Sequence, residues 1–439
     1  MSDTAVKGHS SLRAVLAATV AGTAMEWYDF YLYATASALV FDKIFFPNLD
    51  PIIGTIASFG TFAAGFFIRP LGGIYFGQLG DKIGRRNVLV ITLLLMGVAT
   101  TLIGLVPNYA TIGLAAPILL TLFRLLQGFG AGAEYAGAVI MAAEYSPKPK
   151  RGFYSAIPYV GVSIGLLAST GLLALVSSLP EEQMLSWGWR IPFLLSALIA
   201  GVGLYIRFRV LETPVFDEVK KRHDVIRVPL KELWLKSKRP LLACWGARLG
   251  DNSLAYIFES FVIVYVTKTL GLPEDLILNG LMIAAFIQIV TVPAFGALTD
   301  RIGRRPVYAG GAIASAAFAY PFYLLMDTEN RLIIWAALIV AAAGFKSAMT
   351  GAQAIFFAEL FPARYRYSGF AIGREVTSPI AGGLTPLITT SIYAATGEIW
   401  PVALYVVGLC VITAGSVLAV PETYRTSLEI PETAPAKSQ

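Results

Sequence analysis

The segment Gly77-Gln78-Leu79-Gly80-Asp81-Lys82-Ile83-Gly84-Arg85-Arg86 returns as Gly296-Ala297-Leu298-Thr299-Asp300-Arg301-Ile302-Gly303-Arg304-Arg305, displaced throughout by 219 positions (296 − 77). That interval is half of the 439 residues. A second match, Glu144, Pro147 and Arg151 against Glu359, Pro362 and Arg366, is offset by 215, so small insertions separate two copies of one ancestral unit. Each copy of the first segment is a short polar stretch wedged between long apolar runs. The chain must therefore fold as two like halves.

Apolar residues make up 56% of the chain and charged residues 14%, against roughly 25% charged in a soluble domain. With a mean hydropathy of +0.66, the chain belongs in a bilayer. Stretches of about 20 apolar residues number twelve, near 14–40, 55–78, 87–106, 113–143, 153–178, 189–208, 240–267, 276–299, 306–326, 332–358, 367–395 and 400–420. The expected fold is an all-α integral membrane protein with twelve transmembrane helices in two six-helix bundles. The domains are then a tail at 1–13, bundles at 14–208 and 240–420, a polar linker at 209–239 and a second tail at 421–439.

Of the 34 Lys and Arg, 25 fall in tails and loops on the side of the N-terminus, and only Lys43, Lys268 and Arg331 lie in the loops opposite. This bias sets both termini in the cytoplasm of a multi-pass protein of a cell membrane, a bacterial inner membrane being expected. It also accounts for the net charge of +6 without nucleic acid. The first apolar run is a full span carrying Glu26 and Asp29, which a cleaved secretory signal would not.

Eleven ionisable residues fall inside the spans: Glu26, Asp29, Arg69, Arg124, Glu134, Arg248, Asp251, Glu259, Lys346, Arg374 and Glu375. At about 3 kcal/mol each, leaving them all against lipid would cost on the order of 30 kcal/mol. They must face one another or a shared wet chamber. Depth counting at about 1.5 Å per residue puts Glu26, Asp29 and Arg124 near the midplane. Glu26 and Asp29, three apart, share a helix face, and carboxylates beside a guanidinium can take and release a proton. Arg248 and Asp251, also three apart, read either as an intrahelical ion pair or as part of a site. Arg374 and Glu375 are adjacent and point apart, which leaves Arg374 for an anion. Tyr28, Tyr33 and Tyr159 are candidate walls of the chamber, their rings tipped with a hydroxyl, and Gln288 is a further candidate contact. The runs Gly128 to Gly132 and Gly161 to Gly165 allow close helix approach, for which packing alone is sufficient reason.

Several chemistries are excluded. His9 and His223 both lie in polar segments, so any proton relay in the membrane runs through Glu and Asp. Gly161-Val162-Ser163-Ile164-Gly165 fits the hydrolase elbow pattern but lies within a span, without a strand or a base. No phosphate-cradling G-x-x-x-x-G-K-[ST] loop occurs. Cys244 and Cys410 lack ligand spacing, so no metal, disulfide or cofactor is expected, and no enzymatic activity.

The Gly77 to Arg86 segment and its copy resemble the signature loops of the major facilitator superfamily. Glu26-Trp27-Tyr28-Asp29-Phe30-Tyr31, Arg69-Pro70-Leu71-Gly72-Gly73, Arg124-x-x-Gln127-Gly128, the Gly130 to Gly137 stretch around Glu134, and Trp187-Gly188-Trp189-Arg190-Ile191-Pro192-Phe193 are similar to its metabolite:proton symporter family, whose members carry shikimate, α-ketoglutarate, citrate, and proline or betaine. The resemblance implies alternating access around a midplane cavity and entry of solute with a proton. It matches Glu26 or Asp29 with Arg124 as a carboxylate–arginine couple. It also assigns Gly77, Asp81, Gly84, Arg85 and Arg86, their copies Asp300, Gly303 and Arg304, and the pairs Glu144, Arg151 and Glu359, Arg366 to gating of the cytoplasmic side. Two departures bear on the solute. The coiled-coil tail of the osmosensing branch is absent, and Gly130-Ala131-Gly132-Ala133-Glu134-Tyr135-Ala136-Gly137 replaces the commoner GGEWGG.

The resulting expectation is a monomeric secondary transporter, with lipids, protons and a small-molecule solute as its partners. It imports a small organic acid, a shikimate-like acid being one candidate, held by Arg69, Arg124, Arg248, Asp251, Lys346 and Arg374. Proton coupling falls to Glu26, Asp29, Arg124 and Glu134. The rival readings are a proton-coupled carrier of a zwitterionic osmolyte such as proline or betaine, and a drug:proton antiporter.

Overall fold

The computed structural model describes residues 12–83, 85–132, 134–209, 230–361 and 366–424. No strand occurs among them, and the helices fall into two sets of six. The first set is α1 (Leu12–Leu39), α2 (Pro51–Ile83), α3 (Arg85–Leu105), α4 (Ala115–Glu144), α5 (Lys148–Ser177) and α6 (Arg190–Arg209). The second is α7 (Leu230–Tyr256, extended by wider turns to 269), α8 (Glu274–Ile302), α9 (Arg304–Met326), α10 (Arg331–Glu359), α11 (366–396) and α12 (Trp400–Leu418). Eight of these are long and apolar enough to span a bilayer by length and composition alone. Of the other four, α3 is apolar over a shorter run, Val90–Leu105, and α1, α7 and α11 carry intramembrane charges or polar residues.

The repeated segment is less of a loop than its polarity suggests. α2 continues through Gly77 to Ile83 and α8 through Gly296 to Ile302, because Leu79 with Ile83 and Leu298 with Ile302 keep the apolar i, i+4 spacing of a helix. α8 stops at Gly303, whose φ of +100° a side chain would resist. There the Glu422 carboxylate accepts the Arg304 N–H (2.9 Å) and the Arg305 N–H (3.0 Å), capping α9.

Within the first half α1 packs on α5, α2 on α4, and α3 on α6; within the second, α7 and α9 pack on α12. The halves meet along two seams, α2 against α11 and α5 against α8. The duplication maps α2 onto α8 and α5 onto α11, so the two seams are one contact made twice. Both rows of small residues are used for packing. A Cβ on Gly128 would lie 1.9 Å from the Gly65 carbonyl oxygen, and one on Gly161 would lie 2.4 Å from that of Val20. Backbones that close let α2 and α4 hold Arg69 and Arg124 at the centre. Cys244 and Cys410 are buried free thiols.

Candidate functional site

Arg69 sits one residue before Pro70 in α2 and points into the interface between the halves. Its Nη2 donates to Glu26 Oε1 (3.0 Å) on α1 and its Nε to Glu375 Oε2 (2.9 Å) on α11, so a single guanidinium ties the bundles together. The Arg374 Nη1 donates in turn to Glu375 Oε1 (2.5 Å). Every side chain in this chain of four is almost inaccessible. The expectation that Arg374 and Glu375 point apart is thereby corrected. Their Cβ atoms diverge, but the helix gives way to a turn at 376–377 and the long guanidinium arm swings back onto its neighbour.

Arg124 stands deeper in the first half, boxed by the rings of Phe30 (4.5 Å to the centroid), Tyr33 (4.4 Å) and Phe62 (4.6 Å). It donates to Gln127 Oε1, and Gln127 donates to Thr100 Oγ1 (2.7 Å). Asp29 accepts from Ser196 Oγ on α6 (2.7 Å). The sequence count couples the α1 acids with Arg124; in the structure Asp29 lies within electrostatic range of Arg124, whereas the base that holds Glu26 is Arg69.

In the second half Arg248 donates to Asp251 (2.7 Å), Gln353 (2.8 Å) and Asn252 (2.8 Å), while Asp251 also accepts from Thr350 (2.7 Å) and the Gln353 amide (2.8 Å). Lys346 is bonded to Glu259. Four nitrogens of these bases, Arg124 Nη2, Arg248 Nε, and Arg374 Nε and Nη2, are buried without a hydrogen-bond partner, as are the Tyr135 and Tyr256 hydroxyls. The Arg374 guanidinium lies over the Tyr135 ring at 3.8 Å. The expected wet chamber is closed in this conformation, since Glu26, Arg69, Arg124, Arg248, Asp251, Lys346 and Arg374 are all at most 2% exposed.

The other candidates divide. Tyr159 meets Tyr135 edge-on at 5.9 Å, and Gln288 on α8 accepts from Ser163 Oγ of α5 (3.5 Å) across a seam. Tyr28 donates instead to the Pro192 carbonyl (2.6 Å), and Tyr33 pairs with Thr61 (2.7 Å), both inside the first half. Glu134's side chain, those of Gly77, Asp81, Arg85 and Arg86, and Gly84 altogether lie outside the described residues. Sequence reasoning placed Glu375 only among the intramembrane charges and gave no site role to Gln127, Gln353, Tyr135 or Tyr256; a polar residue three positions after an intramembrane Arg was the available signal for Gln127.

Ionic contacts close both ends. At the end bearing the repeated segment, Asp300 accepts the Gly152 N–H (2.8 Å) and Phe153 N–H (3.0 Å) of α5, and Arg304 bonds Asp300 (2.8 Å) and Glu359 (3.1 Å). Arg366 reaches Glu144 (3.5 Å) across the halves, and Arg151 is buried within electrostatic range of Glu359. At the opposite end Lys268 bonds Asp42 and Thr55 (2.7 Å), again across the halves. Beside it a cavity of about 510 Å³ opens among Lys43, Ser177, Glu181 and Glu274, away from the buried network.

The family model described as sugar (and other) transporter matches residues 14–227 and again 215–434. The chain belongs to the major facilitator superfamily. This facilitator protein is 38% identical over 420 residues to the shikimate transporter of Escherichia coli, covering 95% of this chain and 96% of that one. It is 37% identical over 443 residues to the proline/betaine transporter of Salmonella typhimurium (98% and 87% covered), and 37% identical to the inner membrane metabolite transport protein YhjE of Escherichia coli (95% and 96%). The fold is that of the proton:xylose symporter XylE bound to 6-bromo-6-deoxy-D-glucose, with a TM-score of 0.72 at 17% identity over 94% of this chain and 96% of that one. The facilitator chain is thus a multi-pass membrane transporter and not an enzyme.

Proposed function

We propose that this facilitator protein imports a small organic acid together with protons, the solute carboxylate binding between the halves among Arg124, Arg248, Lys346 and Arg374. The observation that carries the reading is the set of four buried guanidinium nitrogens without acceptors. An unmet buried donor costs about 1–3 kcal/mol, more when charged, and a carboxylate brings the lone pairs to meet several at once. Glu26, Asp29 and Glu134 supply the proton-carrying groups, with Arg69 tying Glu26 to the opposite half. The Asp300–Gly152 and Arg366–Glu144 contacts gate the cytoplasmic face and the Asp42–Lys268 contact the outer one, with both termini inside and the protein acting as a monomer. The likeness to a shikimate transporter supports an acid of that kind.

The proline/betaine relatives support a zwitterion as the second reading. Against a quaternary ammonium stands the Phe30, Tyr33 and Phe62 box: the aromatic cage that such a cation seeks already holds the Arg124 guanidinium. A thermal-shift screen of purified protein against shikimate, α-ketoglutarate, proline and betaine at two pH values separates the two readings, because a selective ligand raises the melting point. Stabilisation by the acids supports the proposal. Stabilisation by proline or betaine alone overturns it.

A further inference from the structure

Two departures from regular helix meet at the centre of the second half. The wide turn Ile257–Phe261 of α7 carries Glu259, and the wide segment Ile339–Lys346 of α10 ends on Lys346. Such π turns spoil regular backbone hydrogen bonding and concentrate where a side chain must be aimed. Here they aim an ammonium at Glu259 Oε1, with both side chains at most 3% exposed. The other carboxylate oxygen, Oε2, is buried without a partner. The groups that face this pair are few. Tyr31 of α1 is in hydrogen-bonding and electrostatic range of Glu259, Tyr256 of α7 interacts electrostatically with it, and Tyr159 of α5 and Asp251 of α7 do so with Lys346. The neighbouring bases are committed elsewhere, Arg248 to Asp251, Gln353 and Asn252, and Arg69 to Glu26 and Glu375. Among the described residues Lys346 is therefore the one cation bonded to Glu259.

We propose that Lys346 and Glu259 exchange a solute anion for a proton: an incoming carboxylate takes the Lys346 ammonium, and Glu259, stripped of its counter-charge, takes up a proton. The inference rests on the carboxylate reading above. A buried carboxylate without a cation costs several kcal/mol, and protonation removes that cost. The balance is simple. The Lys346–Glu259 contact is replaced by a Lys346–solute contact, –COO⁻ plus H⁺ from the outer water gives –COOH, and no group is oxidised or reduced. On the inner side the solute leaves, Lys346 returns to Glu259 and the proton departs. Through this pair one proton accompanies each solute carboxylate, in addition to any carried by Glu26, Asp29 or Glu134, and the loaded site counted with its solute carboxylate has the same net charge as the empty pair.

The test needs no knowledge of the solute, since Lys346→Gln removes the ammonium outright. Infrared difference spectra of purified Lys346→Gln against the native protein, near neutral pH, are expected to show the carbonyl stretch of a protonated carboxylic acid. That band disappears in Lys346→Gln/Glu259→Gln. Lys346→Arg restores the pair, shows no band, and checks that the substituted site still folds. Absence of the band in Lys346→Gln, or its persistence in the double variant, overturns the exchange. Failure of the carboxylate reading shows instead in the thermal-shift screen and leaves the band untouched, so the two failures are told apart.

Discussion

Glu375 holds two guanidinium groups from two different helices, Arg69 at 2.9 Å and Arg374 at 2.5 Å. Glu375→Gln keeps the shape of the side chain and removes its charge. Arg69 retains Glu26, but Arg374 is left with the Tyr135 ring beneath it. Breaking a buried ion pair from one side costs about 3–5 kcal/mol, mostly because the abandoned charge stays buried. Unfolding entropy of about 2 cal/mol/K per residue, over 439 residues, gives about 0.9 kcal/mol/K and hence a fall in Tm of about 3–5 °C. Thermal unfolding of the detergent-purified protein reads it directly. Adding Arg374→Met removes the stranded cation, and the double variant should recover part of the loss, with a coupling of about 1–3 kcal/mol. A fall in Tm below about 1 °C, or a double variant no better than the single, would refute the claim that Glu375 is the keystone of this network.

The remaining predictions concern the ends, the packing and the coupling. Lys268→Gln breaks the contacts to Asp42 and Thr55, so a cysteine placed at Leu39, which lines the neighbouring cavity, should react several-fold faster with a membrane-impermeant maleimide; an unchanged rate removes Lys268 from the outer closure. Asp300→Asn weakens the acceptor of the Gly152 and Phe153 N–H groups, a cap worth about 1–2 kcal/mol, and uptake into proteoliposomes should slow; unaltered uptake shows that this latch is dispensable. Gly128→Ala drives a methyl group onto the Gly65 carbonyl oxygen, an overpacking cost of about 1–3 kcal/mol seen as a lower Tm, and an unmoved Tm means α2 and α4 are not this close. Glu134→Gln should abolish accumulation against a gradient while leaving solute exchange; full pH-driven uptake takes Glu134 out of the coupling.

The two-bundle fold was legible because one physical constraint dominated it. A backbone in lipid must satisfy its own hydrogen bonds, so twelve apolar runs are twelve helices, and the repeated segment fixes how they divide. Rotation about each axis was not legible. Glu26 and Arg124 were counted to similar heights, yet Glu26 faces Arg69 on α2, while Asp29, three residues on, reaches Ser196 on α6. Which neighbour a side chain meets depends on how helices pack, and a single-span count is blind to it. The Arg374–Glu375 contact ran against expectation for a different reason. The rule that adjacent residues diverge holds for Cβ vectors and says little about a guanidinium five bonds away. The wide turns at Glu259 and Lys346 carried no composition signal at all.

The two seams have one more implication. If α2 on α11 and α5 on α8 are a single docking surface deployed in duplicate, neither half is a fixed frame for the other, and any rocking must turn about both seams together. On the gating proposed above, Asp42 with Lys268 restrains that turn at one pole and Asp300 with the Gly152 amide at the other, so the resting tilt is open to adjustment one residue at a time.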